Sequence, residues 1–251
     1  MEPLDFTGRA VVVTGGTRGI GAAIAAAFAA AGAQVLVCGR HPSPTAVDFF
    51  PADVRDPAQA AALVAAAVER FGRVDVLVNN AGGAPPVAAA EASPRLHAKI
   101  IELNLVAPLH VSQAANAVMQ KQAGGGVILM VGSVSGTRPS PGTAAYGAAK
   151  AGLHQLATSL AAEWAPAVRV NSVVPGPVGS ADPDAAVAGV GLDPAAVART
   201  VAFGRVATAE EVAGVCLLLA SPLAAYVSGA SLAVHGGGEW PGYLADLRGG
   251  A

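Results

Sequence analysis

Short apolar runs alternate along the chain with longer Ala-rich stretches whose polar residues recur at helical spacing. Residues 9–14, RAVVVT, are apolar and β-branched with turn residues at both ends, which predicts a buried strand. Residues 34–38, 46–50, 74–78, 127–131, 168–174 and 231–234 read the same way. Helical stretches lie between them. An Ala-rich one ends near Ala31, and one over 57–71 runs from a candidate N-cap, Asp56, to Gly72. A single long helix is expected over 93–121, with others over 146–164 and 209–220. Seven strands alternating with helices predict one doubly wound α/β domain, residues 1–251, around a mostly parallel sheet. Residues 41–45 are too few for the crossover helix that neighbouring parallel strands need, so one sheet face should be less covered there. Residues 179–204, rich in Ala, Gly, Pro and Asp, read as one long irregular stretch, and such loops in compact domains are usually functional or disordered.

With 53% of its 251 residues hydrophobic and 13% charged, the chain has ample material for a core and little for a disordered tail. A net charge of −2 leaves no footprint for nucleic acid or an anionic membrane. The uncharged runs 19–39 and 212–238 are long enough to span a bilayer, but glycine, proline and polar residues interrupt both, and each changes from helical to strand pattern partway. Residues 1–6 are short and acidic, unlike a signal peptide. Cys38 and Cys216 are isolated, show no metal-ligand spacing and suit buried packing in a reducing cytoplasm, so no metal is expected.

Two clusters carry chemistry. The first strand feeds Thr14-Gly-Gly-Thr-Arg-Gly-Ile-Gly21 and then a helix, the strand–glycine turn–helix context of a Rossmann-type dinucleotide site. Gly15, Gly19 and Gly21 allow a tight turn, close approach of a pyrophosphate and close helix–strand packing, with Thr17, Arg18 and Ile20 completing the loop. In the second cluster, Tyr146 and Lys150 are four apart, so on a helix they share one face. Ser133 ends a predicted strand, and the loop after it holds Pro139, Pro141 and Gly142, which can fold it back against the helix start. An ammonium about 4 Å from the phenol, at an effective dielectric of about 20, favours phenolate by roughly 4 kcal/mol, or about three pKa units, before desolvation trims the gain. That chemistry suits a carbonyl or an alcohol.

On these residues the chain closely resembles the short-chain dehydrogenase/reductase family, from about residue 6 to about residue 238, and the glycine loop has that family's TGxxxGxG form. The resemblance implies a catalytic set of Ser133, Tyr146, Lys150 and Asn104, the last holding a water that links the lysine to solvent. It implies that Asp53 and Val54 lie beside the adenine and that Asn80, Ala81 and Gly82, from the NNAG segment, shape the cofactor cleft. Pro175, Gly176, Val178 and Ser180 match the segment that holds the nicotinamide carboxamide, and 179–204 corresponds to the variable substrate loop. Family members that use NAD usually carry an Asp where this chain has Gly39; here Arg40 follows at once and Arg18 sits in the loop. Both arginines can reach an adenosine 2′-phosphate, which favours NADP(H) and leaves NAD(H) as the alternative. Where the family commonly reads Val-Asp-Gly-Gly the chain has His235, for which a structural role is expected. The family commonly pairs the helices over 93–121 and 146–164 between subunits, which implies a homo-oligomer, a tetramer. The tail, 239–251, carries Trp240, Tyr243, Leu244 and Leu247 and is expected to pack, against a neighbouring subunit.

The reading is a cytoplasmic NADP(H)-dependent oxidoreductase interconverting a ketone and a secondary alcohol on a small molecule, with no nucleic acid or membrane partner. Tyr146 handles the proton, Ser133 the substrate oxygen, Lys150 the ribose and the tyrosine pKa, and Asn104 the relay. Two alternatives stand beside it. A 3-oxoacyl-[acyl-carrier-protein] reductase wants a basic docking face, for which Lys121 and Arg169 are available while Asp182, Asp184 and Asp193 oppose. A dinucleotide-sensing protein without turnover tends to lose the catalytic Tyr or Lys, and both are present here.

Overall fold

In a computed structural model of the chain, which describes residues 4–41, 46–179 and 193–241, the centre is β1 (Ala10–Thr14), buried along its whole length. Around it lie β2 (Gln34–Gly39), β3 (Asp48–Pro51), β4 (Val76–Asn79), β5 (Gly126–Val131), β6 (Val168–Pro175) and β7 (Ser231–Val234). The sheet order is β3-β2-β1-β4-β5-β6-β7, and every pairing is parallel rather than mostly so. A parallel sheet must be covered on both faces, and the apolar residues divide with period two to allow it. Val12, Leu36, Leu77 and Ile128 face α2 (Pro57–Phe71), α4 (Ala107–Met119) and α5 (Ala144–Glu163). Val11, Val13, Val37 and Val78 face α1 (Gly19–Ala30) and α7 (Ala209–Ala220). Fully burying each such side chain contributes roughly 1.5–3 kcal/mol, which fixes the register.

The helix ends follow the local chemistry. Asp56 accepts the N–H of Ala58 at the start of α2, and Gly72, at φ 77°, closes its end. Thr208 and Glu211 form a reciprocal capping box on α7. Ser93 caps α3 (Pro94–Ile101) through the N–H of Leu96.

Four expectations are corrected. The strands predicted over 46–50 and 74–78 are shifted to Asp48–Pro51 and Val76–Asn79. In the second case Asp75 stands before the strand, its carboxylate taking Arg9, Arg73 and the Ala10 N–H. The single helix over 93–121 is α3 and α4 joined by a π-helical turn, Glu102–Val106. Within that turn the Asn104 side chain donates to the Ile100 carbonyl at 2.9 Å, taking the acceptor an α-helical N–H would use, and the turn widens. The stretch 179–204 is not irregular throughout: α6 (Pro194–Thr200) starts where Asp193 accepts the Ala195 N–H. Ser180, Asp182 and Asp184, and in the tail Tyr243, Leu244 and Leu247, lie outside the described residues.

Candidate active site

The strand order reverses between β1 and β4, and the loops leaving their C-terminal ends diverge there to open a crevice. One wall is the glycine loop and the other is Asn80–Ala81–Gly82, and they are tied together atom by atom. Thr14 Oγ1 accepts the N–H groups of Asn80 and Ala81, each at 3.0 Å. Asn80 Nδ2 donates to the Thr14 and Gly15 carbonyls, also at 3.0 Å. The packing excludes any side chain: a Cβ on Gly21 would lie 2.3 Å from the Gly15 carbonyl oxygen and 2.4 Å from Asn80 Nδ2. Helix α1 begins here with Arg18 at the N-cap, which gives no side-chain hydrogen bond, whereas α2, α3, α6 and α7 each have a side-chain cap; no acid stands in the first turn of α1. Its first N–H groups and positive dipole end are therefore left for an anion. Gly19, at φ 53°, has open space where a Cβ would stand. The free donors and the room fit a dinucleotide pyrophosphate.

Along the outer rim, Arg18 and Arg40 are exposed. A Cβ on Gly39 would meet Thr17 at 3.5 Å and the His41 carbonyl oxygen at 3.7 Å, both ordinary contacts. Val54 is buried, and Asp53 is gripped by Arg55, whose Nε lies 2.9 Å from Oδ1. That hydrogen bond holds the Asp53 carboxyl below the usual carboxylate range.

Deeper in the cleft, α5 presents Tyr146 and Lys150 one turn apart, and Ser133 follows the end of β5 in extended conformation. The Ser133 hydroxyl accepts the Ser135 N–H at 3.1 Å and lies near enough to the Tyr146 hydroxyl to pull its pKa down. Lys150 is 3% exposed; its Nζ donates to the Val131 carbonyl at 2.7 Å and lies 5.5 Å from the centre of the Tyr146 ring. Burial lowers its pKa to about 8. The sequence predicts that Lys150 depresses the Tyr146 pKa; in the fold burial dominates and raises it, the Ser133 hydroxyl pulling the other way. The ammonium is turned toward a backbone carbonyl, and the phenol is partly desolvated.

Asn104 is completely buried in the π-turn. Its Oδ1 accepts the Gly83 N–H and its Nδ2 donates to the Gly83 and Ile100 carbonyls, all at 2.9 Å. A Cβ on Gly82 would fall 2.7 Å from Asn104 Oδ1 and 3.3 Å from Lys150 Nζ, so the segment after β4, the π-turn and α5 meet at one point. At the end of β6, Gly176 packs on His235, where a Cβ would lie 2.9 Å from the histidine Cβ, and Val178 bridges to Ala207. This sets Pro175–Val178 at the same edge of the sheet, and His235 packs there as expected. A cavity beyond β7, lined by Phe203, Arg205, Glu211 and His235, contains none of the residues expected to be catalytic.

Two residues escape the sequence reading. Thr14 opens the TGxxxGxG loop, but its role in tying the two walls together is not predicted from the sequence. His154 follows Lys150 by one turn and packs under Ser133; the same spacing that links Tyr146 to Lys150 points to it.

A parallel sheet with an uncapped, glycine-led helix at its switch point is a dinucleotide-binding architecture. Residues 15–239 match a family model described as enoyl-(acyl carrier protein) reductase. The chain is 36% identical over 244 residues to a 3alpha-hydroxysteroid dehydrogenase of Mediterraneibacter gnavus, covering 91% of this chain and 96% of that protein. It is equally 36% identical over 244 residues to the 3-oxoacyl-[acyl-carrier-protein] reductase of Escherichia coli, covering 93% and 98%. Among solved structures, ligand-free aldohexose dehydrogenase of Thermoplasma acidophilum superposes with a TM-score of 0.85 at 28% identity, over 93% of this chain and 94% of that one. The chain belongs to the short-chain dehydrogenase/reductase family, whose members are oxidoreductases using NAD(P).

Proposed function

We propose that this protein is an NADP(H)-dependent oxidoreductase that interconverts a ketone and a secondary alcohol on a small-molecule substrate. The observation that carries this reading is the meeting of Ser133 and Tyr146 with a buried Lys150 beside Asn104. The coenzyme, held in the glycine cradle, supplies or takes up the hydride. Ser133 holds the substrate oxygen; Tyr146 gives that oxygen a proton in reduction and removes it in oxidation. Burial keeps Tyr146 protonated in the coenzyme-free protein, the form that reduction requires. Lys150, with its pKa brought to about 8, exchanges protons near neutrality and replenishes Tyr146, besides holding the ribose. Both hydrogens of the Asn104 amide are engaged, so it offers a relay water an acceptor: the second lone pair of Oδ1 or its own carbonyl in the widened turn.

Asp53 and Val54 would flank the adenine, Asn80 to Gly82 the inner cleft, and Pro175, Gly176, Val178 and Ser180 the carboxamide. The exposed Arg18 and Arg40, and the missing acid at Gly39, support NADP(H) over NAD(H). The test is coenzyme oxidation against a panel of ketones that includes a 3-oxosteroid and a 3-oxoacyl thioester. Coenzyme binding with no turnover across the panel would favour the sensing alternative.

The 36% identity to a 3-oxoacyl-[acyl-carrier-protein] reductase favours that second reading. Against it, Arg169 is committed, donating to the Val227 and Ser221 carbonyls, so of the two candidate docking cations Lys121 alone is exposed.

We read residues 1–251 as one such domain working in the cytoplasm, where Cys38 and Cys216 stay reduced; burial raises their thiols to about 11 and about 12, which leaves them unreactive. No helix among the described residues is long and apolar enough to cross a membrane. A homotetramer is supported by two apolar surfaces. One is a groove between α4 and α5 in which Leu109, Leu156, Leu160 and Trp164 are joined by the polar Gln113, Asn116 and Glu163. The other borders the outer edge of β7, where Leu223, Tyr226 and Leu232 are exposed. Light scattering at micromolar concentration should return four chains, and a monomer would sink the assignment.

A further inference from the structure

Helix α5 carries a third residue in line with Tyr146 and Lys150. His154 comes one turn after Lys150, and its ring enters a slot between two glycines of the loop that presents Ser133. A Cβ on Gly132 would lie 2.1 Å from His154 Nε2, and one on Gly136 would lie 3.0 Å from its Cε1. Nε2 is 3.4 Å from the Ser133 amide nitrogen and accepts its hydrogen. The neighbouring contacts are each taken: the Gly132 N–H donates to the Val173 carbonyl at 2.7 Å, and the Ser133 hydroxyl meets Ser135 and Tyr146. His154 is thus the helix-side anchor of the Ser133 peptide.

We propose that His154 is a positioning residue, which as the neutral imidazole with its proton on Nδ1 fixes the Ser133 peptide, and with it the hydroxyl that meets Tyr146, and which lets go on acidification. The inference rests on the reading of Ser133 and Tyr146 as the reacting pair. A proton added at Nε2 would set two N–H donors face to face. With glycines packed on both sides the ring cannot swing clear, so the Ser133 loop must shift. Burial first, and then the Lys150 charge, hold His154 neutral to below its ordinary range. The other ionisable groups on elements packed around α5 are Arg95, His97 and Lys99 on α3, Glu102 in the π-turn, His110 on α4, Arg169 on β6 and the exposed Tyr226; none acts on His154. Glu102 instead acts on Arg55, and Arg169 is engaged with Val227 and Ser221. Strand β5 and the 3-10 turn Val134–Gly136 carry no ionisable side chain.

A spectroscopic test needs no substrate. Long-range proton–nitrogen NMR on the labelled full chain at about pH 7.5 should show His154 as the Nδ1–H tautomer, and the Ser133 amide should titrate with it as the pH falls. An Nε2–H tautomer, or a Ser133 amide indifferent to that titration, overturns the proposal. The kinetic test uses a ketone the protein reduces. His154→Leu fills the slot but removes the acceptor, and should lower kcat about tenfold while the KM for coenzyme stays within about twofold. His154→Gln, whose Oε1 accepts the same N–H and does not titrate, should recover most of that loss and abolish the acid limb seen in the wild type. A Leu variant as fast as wild type, or a Gln variant with the wild-type acid limb, also overturns it. If no ketone is reduced, the functional reading fails, and the NMR result still decides the role of His154.

Discussion

At the inner end of the cleft Asn104 and Lys150 are 0% and 3% exposed and held by hydrogen bonds to Gly83, Ile100 and Val131, whereas at the outer end Arg18 and Arg40 are exposed on the rim. The contrast follows from solvation. A buried polar atom must find a partner or cost about 1–3 kcal/mol, so the inner positions are over-determined by their neighbours. Exposed arginines are already well hydrated, and what they add is modest, screened and replaceable. Chemistry at the inner end should therefore be brittle to single changes, and coenzyme choice at the outer end should be pliable.

The sharpest break of that contrast is Tyr146→Phe. The substitution keeps the ring and deletes the proton donor that Ser133 meets. It should cut kcat by about a thousandfold or more while coenzyme affinity is kept. A variant retaining more than about a tenth of the wild-type kcat, with chemistry rate-limiting, would remove Tyr146 from its role.

Both the fold and the grouping of the inner residues were largely legible in the sequence, for the same reason. Strongly apolar runs between turn residues have few alternatives, so α2 and α7 fall on Pro57–Phe71 and Ala209–Ala220 as predicted. Tyr146, Lys150 and Ser133 could be grouped because helical spacing and a proline-rich return loop dictate their meeting. What escaped depends on side chains reaching across space. The π-turn arises because the Asn104 amide takes the Ile100 carbonyl, which no periodicity reveals. The direction of the Tyr146 shift depends on where the Lys150 ammonium points, and it points to Val131. Helix α6 was hidden by the Ala, Gly and Pro around it, although Asp193 gave a cap signal.

The pliable end makes a smaller prediction. After discounting for solvent screening, Arg18 and Arg40 together should favour NADP(H) over NAD(H) by roughly thirtyfold in kcat/KM, the equivalent of about 2 kcal/mol. The preference should shrink as ionic strength rises. Gly39→Asp with Arg40→Leu should reverse the order, and the Cβ at position 39 enters at ordinary contact with Thr17, so the loop need not be rebuilt. Equal values for the two coenzymes in the wild type would mean that neither arginine reaches the 2′-phosphate.

The smallest effect is on stability, and it tests whether the inner end trades stability for function. Burial lowers the Lys150 pKa from its ordinary 10.5 to about 8, so folding exacts a cost for the charged form. Below about pH 8 the lysine is charged in both folded and unfolded chains and the full cost is present. Between about 8 and 10.5 the folded chain sheds its proton first, the unfolded chain binds more protons, and stability rises with pH by roughly 3 kcal/mol at most. Tyr146, whose pKa burial raises, opposes this only above about pH 10, where the unfolded chain would ionise first. Lys150→Met removes the buried charge but also the hydrogen bond to the Val131 carbonyl, which returns part of the gain. The variant should therefore be more stable than wild type at pH 7 by about 1 kcal/mol, a rise in Tm of about 2–4 °C, while losing activity. Thermal unfolding of the coenzyme-free proteins at about pH 7 and 10 should show that advantage at the lower pH and its disappearance at the higher. Wild-type stability that stays flat or falls between about pH 8 and 10 would show that the Lys150 ammonium carries no such cost.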